Sequence, residues 1–201
     1  MPQDDQESRT FSRRTLIAGA ALVPVAALAP AAPSSGQSVF SSAERKTLEA
    51  FANRLVPSDE LGPGAVECGA VSYIDQALGG ALADEKTSFI QGLADIDAYA
   101  RKAHNTAFAD LSDEQKDAVL TAMEQGSATG FESARAVFAR FRRLTLEGMF
   151  CDPYYGGNTS FRGWDMIRYP GPRVAVSPDD QKMRVEIKPY RRSALGANNG
   201  H

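Results

Sequence analysis

Ser41-Ser-Ala-Glu-Arg-Lys-Thr-Leu-Glu-Ala-Phe-Ala-Asn-Arg-Leu-Val-Pro57 sets the character of the fold. Ser41 followed three residues later by Glu44 is a capping box, in which hydroxyl and carboxylate satisfy backbone N–H groups that a helix start leaves free. Leu48, Phe51, Ala52, Leu55 and Val56 then recur at helical spacing and make one apolar stripe. Pro57 ends the run, because it has no N–H to donate and its ring crowds the preceding turn. Such a helix needs neighbours to cover its stripe.

The chain downstream supplies them. Pro57-Ser-Asp-Glu-Leu-Gly-Pro-Gly64 is turn-rich, and the spacing after it predicts a helix over roughly 65–78, with Val71, Ile74 and Leu78 on one face and Gly79-Gly80 as its stop. A third helix, about 84–104, gathers Phe89, Ile90, Leu93, Ile96 and Ala100. Ser112-Asp-Glu-Gln115 is a second capping box and opens a helix carrying Val119, Leu120 and Met123. After a break at Gly126 to Gly130, a fifth helix over about 132–150 carries Val137, Phe138, Phe141, Leu144, Thr145 and Met149, a stripe expected to be core. No convincing alternation of a strand occurs before residue 172. The predicted fold class is all-α, a compact helical bundle of about five helices over residues 41–172, with a long aromatic and glycine-rich C-terminal loop. Residues 173–201 read as a polar, extended tail, in which Met183-Arg-Val-Glu-Ile187 could pair as a strand or stay unstructured.

Upstream lies a different kind of segment. Ser12-Arg13-Arg14-Thr15-Leu16-Ile17 precedes an apolar run of about 14 residues, shorter than the ~20 a membrane-spanning helix needs. Ala29-Pro30-Ala31 then offers a small-x-small exit site. Paired arginines, a short apolar region and small residues describe an export signal over residues 1–31, and Arg13 with Arg14 marks the twin-arginine route to the periplasm. A retained signal acting as a tether is the alternative. Residues 32–40 form a linker rich in Pro, Ser and Gly.

Hydrophobic residues at 43% and charged residues at 23% place the remainder among ordinary soluble domains. The net charge of −3 is unevenly spread, since residues 173–201 hold six bases against three acids and residues 32–172 are the acidic part. Nucleic acid is excluded as a partner, because binding it needs a basic stripe on a folded face. Cys68 and Cys151 are too few for a structural zinc site, even with His104 and His201. In an exported chain their even count permits one internal bridge. The Gly-x-Ser-x-Gly and Gly-x-Gly-x-x-Gly motifs and the lysine-bearing phosphate loop are absent. Asp95 and Asp97 lie two apart on a helix, so their carboxylates diverge. No catalytic, cofactor-binding or metal-binding residue is expected.

One segment is less ordinary: Glu147-Gly-Met-Phe-Cys-Asp-Pro-Tyr-Tyr-Gly-Gly-Asn-Thr-Ser-Phe-Arg-Gly-Trp-Asp-Met-Ile-Arg-Tyr-Pro-Gly171. It concentrates Tyr154, Tyr155, Phe161, Trp164 and Tyr169 among glycines. Two readings stand side by side: a loop folded back over apolar helix faces, and a protein interface anchored by Tyr and Trp. Asp152 and Asn158 could hold the loop through side-chain bonds to its own backbone. Gly156-Gly157 as a phosphate cradle lacks a following lysine or helix.

At this segment the chain resembles the gluconate 2-dehydrogenase subunit 3 family, the small subunits of periplasmic FAD-dependent sugar and sugar-acid dehydrogenases. The resemblance rests on Glu147 to Asn158, then Gly163-Trp164 and Tyr169-Pro-Gly171. Earlier pieces are Leu55-Val-Pro-Ser-Asp-Glu60, Pro63-Gly-Ala-Val-Glu67, Tyr73-Ile-Asp75, Gly92-Leu93 and Phe108-Ala-Asp-Leu-Ser112. It implies a non-catalytic accessory subunit that binds no cofactor itself. Its partner would be a large FAD-bearing subunit of the glucose-methanol-choline type, escorted through the twin-arginine translocase, with a cytochrome c subunit carrying haem c as a further member. The complex would work in the periplasm, in association with the inner membrane. The interface residues implied are Asp152, Tyr154, Tyr155, Asn158, Trp164 and Tyr169. Cys68 and Cys151 depart from the family pattern. Cys151 could bridge to the large subunit or to Cys68, or be a buried free thiol. The rival reading is an independent periplasmic small-molecule-binding protein or enzyme, with residues 151–171 as its lid.

Overall fold

The computed structural model describes residues 38–173, 175–183 and 188–195. Arg13 and Arg14, the exit site, most of the linker and residues 184–187 of the tail's alternation lie outside them. Among the described residues there are six α-helices and no strand: α1 Ser42–Leu55, α2 Ala70–Gly79, α3 Lys86–His104, α4 Asp113–Gln125, α5 Ala134–Phe150 and α6 Arg162–Met166. Single 3-10 turns at Ala83–Glu85, Phe108–Asp110, Pro153–Tyr155 and Thr159–Phe161 link them. The expected all-α bundle is what forms. None of these helices is long and apolar enough to cross a membrane.

Both capping boxes are made. Ser41 N donates to Glu44 Oε2 at 2.7 Å and Glu44 N to Ser41 Oγ at 3.3 Å, and Ser112 with Gln115 repeats the exchange at 3.0 and 3.3 Å. Each box satisfies two donors that the first turn of its helix cannot. Asn105 and Gly126, both left-handed, end α3 and α4.

The stripes meet in an aromatic core. Phe89 stacks on Phe141 with ring centres 4.1 Å apart, and Phe51 meets Phe141 and Phe138 edge-on at 5.3 and 6.0 Å. Such pairs add roughly 0.5–1.5 kcal/mol each beyond the burial of their area. Helix α5 supplies two of these rings and packs against α1, α2, α3 and α4, so it is the spine of the bundle. Asp97 has a structural task, accepting from Phe108 N at 3.0 Å and Thr47 Oγ1 at 3.4 Å. Asp95 instead accepts from Gln91 Nε2 at 2.9 Å.

The second helix starts later than its apolar pattern suggests. Residues 65–69 form turns, with Cys68 N bonded to Gly64 O and Gly69 N to Val66 O, both at 3.0 Å. Gly69 then takes φ +82°, which a continuing helix cannot contain. Where α2 crosses α5 the backbones almost touch: a Cβ on Gly148 would lie 2.8 Å from Ala70 Cα and 2.9 Å from Tyr73 Cβ. Gly148→Ala should therefore part α2 from α5 and cost about 1–3 kcal/mol, read as a lower urea midpoint at unchanged slope. An unchanged midpoint would mean that the crossing has room to spare.

Candidate functional site

Residues 151–171, expected as a loop, are a folded cap on the end of α5. Asp152 starts it: its Oδ1 accepts from Tyr154 N at 3.0 Å, and Pro153 opens the 3-10 turn. The centre is Asn158, which is wholly buried and left-handed at φ 45°. Its Nδ2 donates to Cys151 O at 2.9 Å, while its Oδ1 accepts from Gly163 N at 2.9 Å and Trp164 N at 3.3 Å. Its own N–H donates to Gly148 O at 2.8 Å. One amide thus joins the end of α5, the middle of the cap and the start of α6. Asparagine suits the place because it tolerates left-handed backbone and carries both donor and acceptor. Gly163 sits on the Met149 carbonyl so closely that any Cβ would strike it.

Trp164 is 7% exposed, with Nε1 donating to Phe150 O at 2.9 Å. Its ring lies 5.4 Å from that of Phe161 and 4.9 Å from that of Tyr169. Of the six residues expected at an interface, then, Asn158 and Trp164 face inward as braces. Asp152 and Tyr154 are half-buried. Tyr155 and Tyr169 are the outward ones, at 43% and 40% exposure. The rings of Tyr154 and Tyr155 meet edge-on at 5.3 Å.

Beside Tyr155 a groove of about 400 Å³ is lined by Tyr73, Glu147, Phe150, Cys151, Asp152 and Tyr155. Tyr73 OH donates to Glu147 Oε2 at 3.2 Å, and Arg143 Nη1 pairs with Glu147 Oε1 at 3.0 Å. Burial, followed by the Glu147 charge, pushes the Tyr73 hydroxyl up to about 12, so it stays a neutral donor. Burial also raises the Cys151 thiol to about 11, assisted by the Asp152 and Glu147 carboxylates and opposed by the Gly157 N–H. A thiol so raised is a poor nucleophile. Gly156 backs onto Gln76 and Gly157 onto Gly148 O, so the phosphate cradle considered for these glycines is filled by protein.

The Cys68–Cys151 bridge does not form. Both are free thiols, Cys68 buried and turned to Pro63 O at 3.9 Å, Cys151 turned to Gly148 O at 3.7 Å. Each is held by the carbonyl of its own turn. Among the described residues no group of three His, Cys, Asp or Glu is placed to hold a metal ion.

Two features of the site are long-range and escape a reading along the chain. Tyr73 and Glu147 open two separate sequence pieces and meet only because α2 crosses α5. The tail returns to the cap, with Arg191 pairing with Asp165 at 2.7 Å and Ala194 N donating to Asp152 Oδ2 at 2.8 Å.

Asn158→Ala should strand the Cys151 carbonyl and two N–H groups and cost about 2–4 kcal/mol by denaturant unfolding. Asn158→Asp keeps the acceptor but buries a carboxylate oxygen against the Cys151 carbonyl, and should destabilise as well. In the native chain at pH 8, Ellman's reagent should titrate Cys151 roughly a hundredfold more slowly than in urea, since few thiolates form at a pKa near 11. Equal rates would place the thiol in solvent.

Comparison with curated proteins and with solved structures finds no match. The family model described as gluconate 2-dehydrogenase subunit 3 matches residues 42–171, from the first residue of α1 to the end of the cap. That span covers the bundle, the Asn158 frame and the groove, and the chain therefore belongs to the gluconate 2-dehydrogenase subunit 3 family.

Proposed function

We propose that this chain is a non-catalytic accessory subunit of a periplasmic flavoprotein dehydrogenase complex. It provides the twin-arginine signal through Arg13 and Arg14 and steadies a large subunit that carries FAD and oxidises a sugar, polyol or sugar acid. In this reading FAD belongs to the partner, haem c to a third, cytochrome subunit, and the chain itself holds neither. Membership of a family named for a dehydrogenase subunit supports it. The observation that carries it is the build of the cap. Buried Asn158 and Trp164 fix a frame that leaves Tyr155 and Tyr169 outward, and Tyr155 walls an aromatic-lined groove. Outward tyrosines near a recess are what a protein partner uses as anchors.

The groove also favours one rival, an independent small-molecule binder with residues 151–171 as lid, because about 400 Å³ lies within the usual range of ligand pockets. Affinity isolation of the tagged chain from periplasm separates the two. The accessory reading expects a yellow complex with a flavin absorption band. Tyr155→Ala combined with Tyr169→Ala should lower the co-isolated flavin roughly tenfold without loss of helical circular dichroism. Lysines at positions 13 and 14 should leave both subunits in the cytoplasm. A colourless chain that is exported alone and binds a sugar or polyol by calorimetry would establish the rival instead.

A further inference from the structure

We propose that residues 188–195 are a clasp that closes over the cap and sets how tightly its two ends are held. The tail returns to three places along residues 151–171. Ala194 N donates to Asp152 Oδ2 at 2.8 Å, at the entry. Arg191 grips Asp165 with both arms of its guanidinium, Nη2 to Oδ2 at 2.7 Å and Nε to Oδ1 at 3.2 Å, on α6. Tyr190 N donates to Pro170 O at 2.8 Å, at the exit. Ser193, between these anchors, is only 4% exposed, and its Oγ accepts from Leu195 N at 3.0 Å. The start of the return is tied by Arg173, whose Nη2 donates to Lys188 O at 3.0 Å.

Asp152 makes the clasp more than a docked tail. One of its carboxylate oxygens orders Tyr154 inside the cap, and the other receives the tail. Pulling the tail away therefore loosens the carboxylate that starts the Pro153–Tyr155 turn. The cap has reason to need an outside restraint. Asn158, Ser160, Phe161 and Arg168 all hold positive φ, between 45° and 62°, and three of the four lack the tolerance of asparagine for that region.

The clasp is built to open without unfolding the bundle. Arg191 and Asp165 keep 58% and 37% of their side-chain surface in solvent, so salt weakens the pair. Opening would free the entry and exit that flank Tyr155 and Tyr169, while the Asn158 bonds beneath stay made.

The single tryptophan of the chain reports on it, because Trp164 adjoins Asp165 and its ring touches that of Tyr169. In the full chain, Arg191→Ala should shift Trp164 emission to the red and raise its quenching by acrylamide. It should also speed amide exchange about fivefold at the cap's entry and exit, around Tyr154 and from Arg168 to Tyr169, leaving the Gly163 and Trp164 amides protected. Helical circular dichroism and exchange within α5 should not change. Sodium chloride at roughly 0.5 M should do the same to the wild type and little more to the variant. Arg191→Asp combined with Asp165→Arg should restore the wild-type emission. Deletion of residues 188–201 should exceed Arg191→Ala, since it also removes the Asp152 and Pro170 contacts. Emission and exchange unmoved by both the substitution and the deletion would overturn the clasp. So would a loss of helical signal in step with the emission shift, because the tail would then be part of the core.

Discussion

The buried side-chain amide of Asn158 is the constraint on which the capped end of α5 depends. A carboxamide is a short uncharged side chain that offers a donor and an acceptor a fixed distance apart. Here the donor takes the carbonyl left over at the end of α5, and the acceptor takes two of the N–H groups that the short α6 cannot satisfy within itself. Buried polar groups left unpaired are costly, so the three segments are tied into one arrangement. Everything outward follows from it: the seating of Trp164, the angle of Tyr169, and the groove between Tyr155 and Tyr73.

The bundle beneath acts as a rigid base. Its aromatic core joins α1, α3 and α5, and the close α2–α5 crossing at Gly148 brings Tyr73 to Glu147. The chemistry collected there is quiet. Tyr73 stays protonated, Glu147 is ion-paired with Arg143, and the Cys151 thiol is held far from ionisation. In the proposed function such a site recognises a surface and leaves the reaction to its partner's flavin.

The helices were readable in the sequence because their signals are local. Two capping boxes, the phenylalanine stripes and the glycine stops each lie within a few residues of what they determine. The start of α2 differs from the sequence pattern because Ala65 and Val66 continue an apolar periodicity that the left-handed Gly69 interrupts. Helix α6 is five residues long, too short for any periodicity to show. The unusual composition of residues 147–171 marks the segment that folds as the cap, but not which of its side chains face inward. Trp164 looks like a surface anchor on paper, and only its bond to Phe150 turns it inward, whereas Asn158 takes the other of its two readings and holds the loop's own backbone. The docking of the tail had no signal at all, since an Arg and an Asp 26 residues apart are common in any chain.

The most direct measurement is hydrogen exchange, residue by residue, of the free chain and of the chain in its isolated complex. The account expects the Gly163 and Trp164 amides to be protected in the free chain as strongly as the interior of α5. New protection in the complex should be confined to the cap's outer face, around Tyr155 and from Asp165 to Tyr169. Rapid exchange at Gly163 in the free chain would contradict the Asn158 frame. Protection that appears elsewhere and leaves the cap unchanged would contradict its role as the partner surface.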